Sequence, residues 1–235
     1  MNRHWTIAKN DHGVFAIPVE SNYTFTSRTI LQGRVHEAPT IDYIVKNCGS
    51  GDVIHAGAGF GDFLPKLSAN CLGNIYTFEP NEINYAACQE TIRLNNLHNI
   101  ILNSCGIGDM IQAKANLKVY SEGLALGVRS EIVKEKGSET QEITVDTLDN
   151  LLLFSSKRVS IIHLDIEGYE FLALDGARGL ISRDRPTIIL EIDGRALDYN
   201  HYMKGLGYKP TTQLIYDAGE MVFVNTVYQL EEVLY

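Results

Sequence analysis

The chain has 235 residues, of which 45% are hydrophobic and 21% charged, a balance that suits one large α/β domain able to bury its own core. A net charge of −9 at pH 7, with no dense Lys/Arg block, gives no general attraction for phosphate backbones, so nucleic acid is not expected as a partner. No apolar run approaches the roughly 20 residues of a membrane span, and the polar, interrupted stretch Met1 to Glu20 does not read as a signal peptide.

Cys48, Cys71, Cys88 and Cys105 form no CxxC pair and no zinc spacing, so they read as thiols, mostly buried, in a reducing, cytoplasmic compartment. Residues 1–36 carry weak periodicity beyond a short hairpin around Gly13, and are expected to form an N-terminal extension. Apolar spacing then predicts a helix over Ala38 to Asn47, stopped by Gly49. From there short apolar strands alternate with helices. Strand Asp52 to Ala56 runs into Gly57-Ala58-Gly59-Phe60-Gly61 and a helix reaching Asn70, with Pro65 near its first turn. Strand Asn74 to Phe78 ends in Glu79-Pro80-Asn81, followed by a helix over residues 82–95 and strand Asn99 to Asn103.

Residues 110–145 break this rhythm and read as an insertion. Asn116 to Tyr120 and Glu142 to Val145 look like strands, and the Gly-, Ser- and charge-rich stretch between them is expected to be a mobile loop or lid. The alternation resumes with a short helix from Asp146 to about Phe154, strand Val159 to Leu164, helix Glu170 to Ile181, strand Thr187 to Ile192 and helix Arg195 to Leu206. Lys209 to Ile215 and Glu220 to Asn225 read as a closing antiparallel hairpin. The pattern predicts a mostly parallel sheet with helices on both faces, with ligands beyond the carboxyl ends of its strands. The main domain is placed at residues 37–235.

Gly57, Gly59 and Gly61 let the backbone turn tightly and approach a ligand closely. A dinucleotide fingerprint wants its third glycine at position 62, where this chain has an aspartate that would sit badly beside a pyrophosphate. The loop therefore favours a nucleoside without a phosphate chain. Glu79, at the end of the next strand, is placed to accept hydrogen bonds from a ribose diol.

The runs Val53 to Gly61, Phe78 to Asn81, Gly106 to Asp109, Val145 to Asp149, Leu164 to Glu170 and Arg185 to Glu191 together resemble the FkbM-type methyltransferase family over residues 37–208. The resemblance implies a Rossmann-like class I methyltransferase sheet of seven strands, S-adenosylmethionine as donor, and O-methylation, often of sugars. It implies that the Gly57–Gly61 loop wraps the donor's methionine and ribose, and that Glu79 holds the ribose hydroxyls with Pro80 and Asn81 beside it. Cys105, Gly106 and Ile107 would flank adenine with Asp109 nearby, Asp165 and Glu167 would face the methyl group and acceptor, and Glu37 matches an acidic residue ahead of the first helix.

Two positions depart from the family. His55 stands where an aspartate is usual, and His163 where a lysine is usual. The expectation is that His55 accepts a hydrogen bond from the donor's ammonium while neutral, so that donor binding weakens as pH falls through its titration. Asp165 or Glu167 is expected to take the acceptor proton, with His163 in reserve; His4, His12, His36, His98 and His201 are expected at the surface. Asp165, Glu167, Glu191 and Asp193 could gather a divalent cation, although simple solvation or hydrogen bonding is the favoured reading. The acceptor is expected to be a small molecule or glycan, selected by residues 1–36 as an acceptor-side cap and by the 110–145 insertion. A nicotinamide-dependent oxidoreductase and a non-catalytic binding module are the alternatives.

Overall fold

The computed structural model describes residues 4–152, 157–192, 196–219 and 221–231. The chain opens with a hairpin of β1 (Trp5–Asn10) and β2 (Gly13–Pro18), then α1 (Phe25–Leu31) and α2 (Ala38–Asn47). The alternating part begins with β3 (Asp52–Ala56), α3 (Leu64–Asn70), β4 (Ile75–Phe78), α4 (Glu82–Leu94) and β5 (Ile100–Asn103). Six short strands follow: β6 (Gly106–Ile107), β7 (Ala113–Lys118), β8 (Tyr120–Ser121), β9 (Leu124–Ala125), β10 (Glu131–Val133) and β11 (Thr140–Asp146). The remainder is α5 (Leu148–Leu152), β12 (Val159–Leu164), α6 (Glu170–Asp175), α7 (Arg178–Asp184), β13 (Thr187–Glu191), α8 (Ala196–Gly205), β14 (Tyr208–Asp217) and β15 (Val222–Leu230).

The main sheet has seven strands in the order β14-β15-β13-β12-β3-β4-β5. It is Rossmann-like and mixed: β15 runs antiparallel to both β13 and β14, while β13, β12, β3, β4 and β5 pair in parallel. Period-2 alternation divides its side chains between two cores. Ile54, Ile162 and Ile188 pack on one face with Leu174, Leu180 and Met203. Val53, Ile161 and Ile189 pack on the other with Ile41, Ile44 and Leu64. Such double cover is why the inner strands read as continuous apolar runs. The order reverses between β3 and β12, and the loops leaving those two strands are where a ligand crevice opens in open α/β sheets.

The hairpin at Gly13 is present, and its β2 edge is closed by α4: Thr91 Oγ1 accepts from the N–H of Ala16 at 3.1 Å and Asn95 Oδ1 from that of Val14 at 2.9 Å. Residues 121–139, expected as a loop, instead contain β9, a short 3-10 turn at Gly127–Arg129 and β10. With β7, β11 and β6, β10 forms a second sheet ordered β10-β7-β11-β6. The single apolar anchor Ile132, packed on Leu117 and Ile143, is too little to mark a period-2 pattern. The helix expected from Glu170 to Ile181 breaks into α6 and α7, because a β-carbon at Gly176 would lie 1.9 Å from the Gly108 carbonyl oxygen and the Asp149 carboxylate caps a fresh helix start at Gly179 and Leu180. The α1 helix was not predicted. Phe154, Asp193, Arg195 and Glu220, which bound or belong to predicted features, lie outside the described residues. All four cysteines are free, and Cys48, Cys71 and Cys88 are buried. Among the described residues no helix is long and apolar enough to cross a membrane.

Ile162 lies fully buried in the middle of the sheet. Ile162→Ala is expected to lower the unfolding free energy by about 2–5 kcal/mol in a denaturant titration; a loss under about 1 kcal/mol would mean this face of the sheet is not close-packed.

Candidate active site

β3 delivers the glycine loop to the carboxyl edge of the sheet. Gly57 has φ 92° and Gly59 φ 52°, both in the left-handed region that glycine tolerates without penalty. A β-carbon on Gly57 would fall 1.8 Å from the Asp165 carbonyl oxygen, and one on Gly59 would fall 2.7 Å from Val128 Cγ1. The loop after β3 thus lies directly against the loop after β12, with the insertion closing over it. Asp62 follows immediately. The backbone N–H groups of Asp62 and Phe63 face its carboxylate, which burial holds up at about pKa 7. The amides a pyrophosphate would need are already served by a side chain.

Glu79 is buried, and both its oxygens are fixed by backbone donors: Oε2 accepts from Gly59 N–H and Oε1 from Asn81 N–H, each at 2.8 Å. The Asn84 side chain also bonds to it, and the carboxylate is thereby an oriented acceptor at the cleft wall. Burial raises its pKa to about 8, against the opposing pull of those hydrogen bonds. Asn81 caps α4, its Oδ1 accepting from Ile83 N–H at 2.9 Å, and its Nδ2 donates to Ser130 Oγ in the insertion at 3.0 Å.

A cleft runs from Glu79 and Pro80 past Cys105, Gly106 and Ile107 to Gly57, Asp165 and Glu167, roofed by Val128 and Ile132. Its lining pairs apolar side chains with an oriented carboxylate, a chemistry that fits the adenosine of S-adenosylmethionine, and its volume of about 40 Å³ means that the roof must lift to admit one. A second cavity of about 370 Å³ adjoins it and shares Gly57, Val128, Asp165 and Glu167. Its far wall carries Tyr23, Phe25, His36 and Phe223, and its floor Glu37 and Glu191.

The acidic floor is electrostatically loaded. Carboxylate oxygens of Glu37, Asp165 and Glu191 lie within 4.8 Å of one another, a set that could hold a hard divalent cation. Burial, followed by Glu191 and Asp62, raises Glu37 to about pKa 8. Burial, followed by Glu191, holds Asp165 well above the usual carboxylate range. Glu167 stands at the mouth, raised to about 7 by desolvation and then by Glu191 and Glu170, with Arg129 pulling the other way.

Not every expected site residue reaches the cleft. Ala58 and Phe60 are buried beneath the loop, Gly61 packs near Cys88 and Leu64, and Asp109 is exposed beside the cleft's end. Glu37 lines the acceptor-side cavity rather than the cleft. His55 and His163 line neither. They sit side by side on β3 and β12, their Nδ1 atoms 2.9 Å apart, on the same sheet face as Phe63. Burial, then the neighbouring His163, drives His55 well below 6.5, and burial drives His163 to about 4. The expected His55 titration between pH 5.5 and 8 is therefore corrected: the imidazole is neutral throughout that range and faces a histidine instead of the cleft. His36 is also corrected: it is buried, with Phe223 and Tyr216 packed edge-on to it. The 110–145 insertion was expected over the acceptor; that Val128, Ser130 and Ile132 are the residues it brings there was not, since their stretch has no periodicity that would have marked them.

The methyltransferase FkbM domain family model matches residues 55–210. Among solved structures, the chain is similar to methyltransferase FkbM from Methylobacillus flagellatus KT, at 21% identity and a TM-score of 0.56, over 76% of this chain and 44% of that one. It is similar to the M. jannaschii tRNA m1G37 methyltransferase at 15% identity and a TM-score of 0.55, over 99% and 56%. It is also similar to the Pyrococcus abyssi tRNA (uracil-54, C5)-methyltransferase in complex with S-adenosyl-L-homocysteine, at 14% identity and a TM-score of 0.53, over 97% and 45%. At these identities the likeness shows the fold alone, and the chain spans about half the length of these structures. No curated protein matches its sequence.

The buried groups give stability two opposing pH dependences. Glu37 and Glu79 bind their protons more tightly folded than unfolded, so their contribution is lost as pH rises from 4.5 to about 8. His163 binds its proton less tightly folded, so its contribution is lost as pH falls from 6.5 to about 4. Glu79→Gln is expected to shrink the fall in Tm between about pH 6 and about pH 9; an unchanged fall in a scanning calorimeter would show that Glu79 is ionised in the free protein.

Proposed function

Because the chain belongs to the FkbM methyltransferase domain family, we propose that it transfers the methyl group of S-adenosylmethionine to a hydroxyl of a small, sugar-containing acceptor. The observation that carries this reading is the junction of the two cavities at Gly57, Asp165 and Glu167. A donor in one and an acceptor in the other would meet there. When bound, the donor supplies a methyl carbon already activated by its sulfonium. What remains for the chain is alignment, which can be worth roughly 7–11 kcal/mol, and acceptance of the hydroxyl proton.

In this reading Gly57 and Gly59 let the backbone approach the methionine portion, Glu79 accepts from the ribose hydroxyls, and Cys105 to Ile107 flank the base. Glu167, poised at about 7, is the better general base. Asp165, raised well above the usual carboxylate range by burial and then by Glu191, to which it is hydrogen-bonded, instead orients the acceptor at the junction. Tyr23, Phe25 and Arg28 are the contribution of residues 1–36 to the acceptor cavity, and support their role as an acceptor-side cap. A net charge of −9 gives no general attraction for a polyanion, which keeps nucleic acid out of this proposal. The Asp62 arrangement likewise disfavours a nicotinamide dinucleotide.

Thermal shift separates the readings. A ligand at 100 times its Kd adds about 2.7 kcal/mol to the folded state, so S-adenosylhomocysteine is expected to raise Tm while NADH leaves it unchanged. The reverse order would reject the donor assignment. Against an acceptor found by sugar-panel screening, Glu167→Gln is expected to lower kcat by about 10²–10⁴-fold with S-adenosylhomocysteine affinity kept within threefold; undiminished turnover would remove Glu167 as the base.

A further inference from the structure

One buried polar chain links the core of the sheet to the acidic floor and has no part in the transfer as described. It is centred on Asn225, a residue of β15 that is 1% exposed and pairs with Glu191 across the sheet. Its Nδ2 donates to Glu37 Oε2 at 2.7 Å and to Thr40 Oγ1 at 3.1 Å. Its Oδ1 lies 3.4 Å from His163 Nε2. His163 Nδ1 in turn faces His55 Nδ1 at 2.9 Å.

Donor–acceptor logic settles every proton in this chain. Because the Asn225 amide nitrogen is committed to Glu37 and Thr40, its oxygen faces His163 and can only accept. His163 therefore carries its hydrogen on Nε2 and accepts at Nδ1. His55 must donate from Nδ1, which leaves a lone pair on Nε2, and that buried atom has no hydrogen-bond partner. One amide orientation thus dictates two tautomers. At the other end it grips a carboxylate whose own backbone is strained: Glu37 has φ 46°, a left-handed conformation costly for a non-glycine residue. A buried glutamate kept in that conformation needs a partner that holds it, and Asn225 supplies the shortest side-chain bond to it.

We propose that Asn225 is a positioning residue, which holds the Glu37 carboxylate at the junction with Asp165 and Glu191 and locks the His55–His163 pair in a single tautomeric arrangement. The proposal rests on the donor-binding reading in one respect: Glu37 lies at the junction beside Gly57 and Asp165, where in that reading it meets the donor's ammonium, the cation that S-adenosylhomocysteine retains. Asn225 touches neither donor nor acceptor and acts only through Glu37.

The test compares Asn225→Leu with the polarity-reversed pair Glu37→Gln/Asn225→Asp. In the reversed pair the amide at 37 donates to the carboxylate at 225, which rebuilds the hydrogen bond but moves the charge away. Calorimetric affinity for S-adenosylhomocysteine, Tm and the ¹⁵N chemical shifts of the histidines are read for each. Asn225→Leu is expected to bind at least tenfold more weakly and to lose the pure Nε2–H signature of His163. The reversed pair is expected to regain native Tm but keep the tenfold deficit, because its charge sits on the wrong strand. Recovery of both Tm and affinity in the reversed pair would overturn the proposal in favour of a purely structural hydrogen bond. So would native affinity or an unshifted His163 signal in Asn225→Leu. Should Asn225→Leu not fold, the reversed pair alone decides between these results. Failure of the native protein to bind S-adenosylhomocysteine would overturn the donor reading instead, and the histidine signals would still decide whether Asn225 sets the pair.

Discussion

The Asp165 carbonyl oxygen lies where almost any side chain at position 57 would have to begin. That approach is possible only because β3 and β12 are neighbours and because the chain leaves them in opposite directions. The switch point is thus more than a gap in the sheet. Two loop backbones touch there, and the junction of the two cavities is built on that touch. Glu79 reinforces it from the other side, since its carboxylate bonds the Gly59 N–H and so fixes the loop's outer turn. A substituent at Gly57 would separate the loops, move Asp165 and widen the junction in one step. The donor cleft, the acceptor cavity and the acidic floor are in this sense one construction.

The acidic floor carries a further consequence of burial. The raised carboxyls of Glu37, Asp165 and Glu167, crowded into a small volume, cannot all be ionised while no cation is near, because each unpaired buried charge is strongly disfavoured. They bind protons more tightly than a free carboxylate does, Glu37 up to about pKa 8, and Glu79 in the neighbouring cleft does the same. In the proposed function the incoming donor is itself cationic, so its arrival and the release of these protons favour one another. The histidines do the opposite work. His55 and His163 lie on the face between α2, α3 and the sheet with burial opposing their charge, and the Phe63 ring stacks on both in a core otherwise of aliphatic and cysteine side chains.

Much of this was legible in the sequence. Each inner strand of the main sheet announced itself as a short apolar run, since both its faces are covered, and each site loop followed its strand directly. Glu79, Asp165 and Glu167 were therefore placed at the correct edge from spacing alone. The closing hairpin was legible as well, but not the insertion of β15 between β13 and β14, because strand order leaves no local signature. His55 and His163 were misread for a related reason: at the end of a strand, one residue more or less decides between the cleft and the core. Register shows both at the penultimate positions of β3 and β12, facing one another. Asn225 was invisible because its partners lie 188 and 62 residues away, at Glu37 and His163.

The insertion was the least legible part, and the reason is physical. It buries a small apolar face of its own, Leu117, Val119, Ile143 and Val145, around β7 and β11 only, and the stretch between them carries no periodicity. That stretch is held by separate contacts: Ile132 on Leu117 and Ile143 within the insertion, and, to the rest of the domain, Ser130 to Asn81, the Gly127 carbonyl to the Asn84 amide, and Val128 against Gly59. Each contact needs one residue of the right size or polarity, and nothing in between is constrained. Such a segment can change most of its residues while still roofing the donor cleft. Val128, which lines both cavities, belongs to the fixed set, whereas Arg129 beside it faces the acceptor side and Glu167. The wall common to the two cavities is thus set by packing, and in the proposed function Arg129, which faces the second cavity, is the neighbouring position at which acceptor preference would vary.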